Sequence, residues 1–174
     1  HNPEMNADAL VRDAAATLSR YVRFDTTNPP GNELPAALWL RDQLVSRGIT
    51  RDVVVYEPVP GRGLLLARIP GTEPVKPLML NHHIDVVAAD PAQWTHLPFS
   101  GDIADGFVWG RGTLDTKGLG VFFMLALEGL IKGGVKFRRP IVFTAVPDEE
   151  PGGDQGMRWL VEHHASAIDP EWVW

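Results

Sequence analysis

Cysteine is absent from all 174 positions. That excludes disulfides, thiol catalysis and thiolate metal ligands, so any metal would have to be held by His, Asp or Glu. Also missing is any apolar stretch near the roughly 18 residues that a membrane-spanning helix needs. The longest candidate, Val121 to Leu127, is short and runs into Glu128. No basic run exists either: Arg138-Arg139 is the densest basic spot and the formal net charge is -6. Without a cationic stripe to release phosphate counterions, neither a nucleic-acid partner nor a membrane partner is expected. Repeats and low-complexity tracts are lacking. What remains, 44% hydrophobic and 22% charged residues, is the composition of a globular domain long enough to bury a core. The first residue is His1, which suggests a tag remnant or a processed end. The cytoplasm is the expected compartment, with the periplasm or secretion after signal removal as the alternative.

Apolar periodicity predicts a helix over residues 6–23, with Leu10, Val11, Ala14, Leu18, Tyr21 and Val22 on one face. A Pro/Gly loop follows over residues 25–31. A second helix is expected from Glu33 to Arg47, with Pro35 in its first turn and Gly48 as its stop. Strands are expected at residues 53–56, 63–69 and 78–81, the last short, apolar and interior. Residues 91–106 have no period and form a long excursion of the functional kind. A short strand at 107–109 precedes an almost wholly apolar, hence buried, helix at 117–132. A buried strand at 141–146, a helix at 155–164 and a strand beginning at Trp172 complete the order. The expected class is α/β, a mixed and mostly parallel sheet flanked by helices. Because a strand starts at Trp172 and the chain ends at Trp174, the sequence is read as part of a longer one.

Three Gly-punctuated stretches carry the chemistry: Asn81-His82-His83-Ile84-Asp85, Gly110-Arg111-Gly112-Thr113-Leu114-Asp115-Thr116-Lys117-Gly118, and Val146-Pro147-Asp148-Glu149-Glu150-Pro151-Gly152-Gly153. Each closely follows an apolar run, which places it at a strand end, where α/β folds keep their sites. At strand period His83 and Asp85 point to one side and His82 to the other. His83 could ligate a metal while Asp85 fixes its tautomer; the plainer alternative is a surface His beside a solvated Asp. Asp115 could bridge two cations or simply cap the next helix. Of the adjacent Glu149 and Glu150, one could ligate and the other act as general base; the alternative is a solvated acidic turn. A cation nearby would offset the repulsion within Asp148-Glu149-Glu150.

Together, in this order, the three stretches resemble the co-catalytic zinc aminoacylase and carboxypeptidase family. The likeness runs from about Thr26 to Trp174 and includes Trp94, Pro98-Phe99 and Gly110-Arg111-Gly112. It implies a metal-dependent hydrolase cleaving an amide bond of a small peptide or an N-acyl amino acid. By that resemblance His83 binds one zinc, Asp115 bridges two, Glu150 binds the second, Glu149 is the base and Asp85 orients His83. Cobalt or manganese would also suit such ligands. The Asp115–Thr116 peptide would be cis.

The resemblance further implies that residues 1–174 are the N-terminal portion of a catalytic domain. Two more metal ligands and a dimerisation domain would lie beyond Trp174, so the chain alone would be inactive and the whole protein a homodimer. His82 departs from the small residue common at that position. An alternative in another class is a non-catalytic domain or scaffold that keeps the fold. A phosphate-binding α/β domain is disfavoured, since the Gly-rich loop lacks a Walker pattern and is surrounded by acids.

Overall fold

Alternation along the strands decides how the layers form. In the computed structural model, which describes residues 7–174, β2 (Leu64–Ile69) sends Leu65, Ala67 and Ile69 into one core and Leu64 and Leu66 into another. β6 (Ile141–Val146) divides in the same way: Ile141, Phe143 and Ala145 join the first core, Val142 and Val146 the second. A period of two puts successive side chains on opposite faces, so both faces must be covered. The first core is closed by α1 (Ala7–Val22), α2 (Leu34–Ser46) and α3 (Gly118–Lys132), the second by α4 (Met157–Ile168) through Leu160 and Ile168.

The sheet has five strands in the order β1-β2-β6-β3-β7, where β1 is Val53–Tyr56, β3 is Leu78–His83 and β7 is Trp172–Val173. β1 with β2 and β2 with β6 are antiparallel. β3 runs parallel to β6 on one side and to β7 on the other. The sheet is therefore mixed, with its parallel pairings confined to the half that carries the acidic and histidine motifs. Arg47, just past α2, joins the three helices by pairing with Asp13 of α1 at 2.8 Å and Glu128 of α3 at 2.7 Å.

Several expectations change. Residue 6, the expected start of the first helix, lies outside the described residues. β3 extends two residues further than residues 78–81, because its ladder with β6 continues to His83 opposite Val146. The short strand at Phe107–Val108 (β5) does not join the main sheet; it pairs only with β4 (Ile103–Ala104) in a two-stranded ribbon. Asp115 therefore follows a ribbon strand, not a strand of the main sheet. The last helix begins at Met157, since Gly156 takes a non-helical conformation, and continues past His164 to Ile168. α3 is not wholly buried: it lies on the sheet by one face and leaves Phe122 62% exposed.

His82 lies buried under the helical layer, as its opposite pointing from His83 requires. Its Nε2 lies 3.0 Å from the Tyr21 hydroxyl, its ring packs on Phe143, and Gly120 of α3 passes so close that a Cβ there would overlap the imidazole. Burial pushes the His82 pKa down to about 3. A histidine kept neutral in the fold but protonated when unfolded stabilises above its unfolded pKa of about 6.5 and loses that contribution as pH falls. Equilibrium unfolding of the native protein and of His82→Gln should therefore converge on acidification. The difference should shift toward the variant by roughly 1.4 kcal/mol per pH unit between about pH 6 and 4; a constant difference would contradict a neutral buried His82.

Candidate metal centre

The parallel register of β3 and β6 brings His83 opposite Val146, so the chain leaving each strand emerges side by side. Ile84 N donates to the Val146 carbonyl at 2.8 Å, which prolongs the contact one residue past the strand. Asp85 then lies fully buried beneath the second turn, where its carboxylate accepts from Glu149 N at 3.0 Å and from Glu150 N at 3.2 Å.

The third stretch reaches the same edge from the ribbon. Gly112 has φ 85°, and a Cβ there would press on Val86 at 2.7 Å, so both conformation and space call for glycine. The segment from Thr113 to Lys117 departs from helical geometry at Asp115 and Thr116. The Asp115–Thr116 peptide is cis. The Thr116 hydroxyl lies between the two backbone groups of His83: it accepts from His83 N at 3.1 Å and donates to the His83 carbonyl at 3.3 Å. That pair of bonds docks the Asp115 loop onto the end of β3. Asp115 does not cap α3, where no side-chain cap is formed.

One nitrogen of His83 and one oxygen each of Asp115 and Glu150 all lie within 4.8 Å of one another. His83 Nε2 is 3.1 Å from Asp115 and 3.8 Å from Glu149. The other ring nitrogen, Nδ1, is held at 2.8 Å by the backbone carbonyl of Asp85, with the Asp85 carboxylate further off at 3.5 Å. The expected tautomer contact thus comes mainly from the main chain, because the strand ends at His83 and the chain turns before Asp85. Its carboxylate is committed to the Glu149 and Glu150 amides, and to Asn28, whose amide donates to it at 2.9 Å. Asn28 was legible in the sequence only as part of a Pro/Gly loop; no local signal marked it as a partner of Asp85.

The electrostatics of the cluster follow from crowding four carboxylates around one imidazole. For His83, burial alone would lower the pKa, but bonding to Asp85 and Asp115 overrides it and raises the value to about 9. Asp85 is held below the usual carboxylate range: burial opposes this, but the bonds from His83, Asn28 and the two glutamate amides prevail. Glu150 is pushed above its usual value by burial and by Asp115, Asp85 and Glu149, against the pull of His83. An imidazole and two carboxylates are the donors that zinc, cobalt or manganese accept, and a cation among them would offset the mutual repulsion of Asp115, Glu149 and Glu150. The donor set therefore fits a metal ion.

Beside Asp115 opens a cavity of about 400 Å³, walled by Trp94, Phe107, Trp109, Arg111 and Leu114. The long loop at residues 91–106 contributes Trp94, whose ring lies 5.2 Å under the Arg111 guanidinium. His96 from the same loop stacks on Trp109 and bonds Asp102 at 2.8 Å, which fastens the loop to the ribbon. The loop contains a short turn at Pro91–Gln93 and the first ribbon strand.

A layered α/β domain that gathers His83, Asp115 and Glu150 beside the ends of two parallel strands defines the class, an α/β domain with a candidate metal site. Residues 79–174 match the sequence profile of peptidase family M20/M25/M40, and the chain belongs to that family, whose members are metal-dependent. Aminoacylase-1 of Sus scrofa is 37% identical over 151 residues, covering 85% of this chain and 37% of its own length. The fold matches an M20 family metallo-carboxypeptidase, Sso-CP2, from Sulfolobus solfataricus with a TM-score of 0.79 at 20% identity, over 92% of this chain and 36% of the other. Human carnosine dipeptidase 1 matches with a TM-score of 0.74 at 21% identity, over 95% and 38%. The chain thus spans little more than a third of the length of these relatives.

Zinc titration by calorimetry tests the cluster. His83→Ala and Asp115→Ala should each weaken binding by more than the roughly 10- to 100-fold that loss of a supporting partner costs. Binding that neither change affects would place the metal elsewhere.

Proposed function

We propose that the protein containing this chain is a metal-dependent hydrolase that cleaves the amide bond of an N-acyl amino acid or small peptide. The observation that carries this reading is the convergence of His83, Asp115 and Glu150 within 4.8 Å, with Glu149 beside them. The names of the relatives, an aminoacylase and a dipeptidase, point to the same bond type. The cofactor is proposed to be zinc, two ions per complete site, with cobalt or manganese as substitutes. His83 would hold one ion, Glu150 the other, and Asp115 both. The cluster supplies one nitrogen and two carboxylates, so full coordination requires water or donors from outside this chain.

A bound cation of this kind lowers the pKa of water and polarises the scissile carbonyl. Glu149, 59% exposed at its side chain, takes the proton of the attacking water and delivers it to the leaving nitrogen. Its neighbour Glu150 faces the cluster, and the amides of both are fixed by Asp85, so ligand and base keep a set spacing. Asp85 touches no substrate in this scheme; it positions His83 through its carbonyl and the glutamate pair through its carboxylate. The aromatic cavity beside Asp115 would receive an apolar acyl group or side chain.

Glu149→Gln in the full-length protein should keep its metal content and lose turnover by roughly 100- to 10,000-fold. Turnover near the native level would sink the base assignment, and metal retention without any hydrolase activity in the native protein would favour a scaffold.

A further inference from the structure

Beneath the turn that carries Glu149 and Glu150 lies a second, fully internal set of charges. Glu33, Arg62, Asp85, Asn28 and Asp148 are all less than one-tenth exposed. Arg62 forks onto Glu33 through Nε at 2.7 Å and Nη2 at 3.0 Å, and the same Nη2 donates to Asp148 Oδ1 at 3.1 Å. Its Nη1 reaches the Gln155 side-chain carbonyl at 3.3 Å and the Pro30 carbonyl at 3.4 Å. Asn28 Nδ2 bridges two carboxylates, donating to Asp85 at 2.9 Å and to Asp148 at 3.2 Å. Asp148 in turn accepts from Gln155 N at 2.9 Å and occupies the left-handed region at φ 70°.

The turn is therefore gripped at three amides by two carboxylates. Asp85 takes the amides of Glu149 and Glu150, and Asp148 takes that of Gln155. Both carboxylates are joined by one asparagine, and Asp148 is anchored through Arg62 to Glu33. The chain places Asn28 there by running Thr26–Asn28 alongside Ile84–Val86: Val86 N donates to Thr26 O at 3.1 Å and Asn28 N to Val86 O at 2.9 Å. Gly31 leaves the space the guanidinium needs, since a Cβ there would strike it. Buried ion pairs are weak contributors to stability, because desolvation offsets most of their attraction and apolar replacements are often tolerated. What such a network does supply is fixed direction, since each oxygen of the three carboxylates accepts at least one hydrogen bond.

We propose that Asn28, Glu33 and Arg62, none of which lies in the segment matching the family profile, are positioning residues for the metal centre. They hold Asp85 and Asp148 so that Glu149 and Glu150 face His83 and Asp115. The proposal rests on the hydrolase reading of that centre.

The test compares the native full-length protein with Asn28→Ser, Arg62→Lys and the charge-balanced pair Glu33→Gln/Arg62→Met. The probe is cobalt(II), followed by its visible absorption, beside kcat and KM on an N-acyl amino acid and a thermal melt. Folded Asn28→Ser should bind cobalt about 10- to 100-fold more weakly, with an altered absorption band and a lower kcat at nearly unchanged KM. Arg62→Lys, which keeps the charge but loses the fork, should fall between native and the pair. Native-like cobalt affinity, spectrum and kcat in folded Asn28→Ser and Arg62→Lys overturn the proposal. If the pair does not fold, Asn28→Ser, which removes a single neutral amide, decides. A native protein that takes up no cobalt overturns the reading of the centre, and this proposal with it, before any variant is measured.

Discussion

The parallel pairing of β3 with β6 is the constraint on which the rest of the site depends. Six consecutive pairs, from Leu78 with Ile141 to His83 with Val146, lock the two strands in register. Because side chains alternate with period two, a slip of one residue would carry His83 to the face that now buries His82 and expose a core strand. The register is secured by the apolar cores on both faces, which commit alternate residues of β6 to different helical layers. Core packing thus fixes the direction in which a polar imidazole points, without any contribution from the imidazole itself.

Given that register, the two strand-end turns must share space, and their charges must be reconciled. Asp85 does this from below: it turns a carboxylate toward two backbone amides, the group's best uncharged partners, and a carbonyl toward the His83 ring. The upper side gathers Asp115, Glu149 and Glu150 around the His83 ring; burial and then these neighbours raise Glu150, while bonding to Asp85 and Asp115 raises His83 against its burial. Bonding that favours the charged form of the His83 imidazole over the neutral one marks a place that favours positive charge. A metal ion supplies that charge with directed bonds, where a proton supplies it with one.

Much of this was legible along the chain. The four helices, the strands of the main sheet and the residue types of the cluster follow from local period, Gly/Pro punctuation and apolar runs, and the observed boundaries differ by only a few residues. Misreadings arose where the determinant was not local. The run at residues 107–109 has the character of a strand, but only its partner shows that it forms a ribbon outside the sheet. The apolar run of α3 suggested burial all round, yet a helix laid on a sheet can bury one face, and Phe122 faces outward.

The sequence by itself determined the class of chemistry: no thiolate ligands, an imidazole beside an aspartate at a strand end, a glutamate pair after an apolar strand, and glycines where the backbone must bend. These are properties of residue type and short spacing, set by covalent geometry and solvation. Only the tertiary structure decided which groups meet. The Asp85 carboxylate serves the Glu149 and Glu150 amides, 64 and 65 residues away, and accepts from Asn28, 57 residues before it. Thr116 clamps the backbone of His83 across 33 residues. Such partners are chosen by the packing of strands and helices against two shared cores, and no local pattern encodes them, because the contact exists only once the layers have closed.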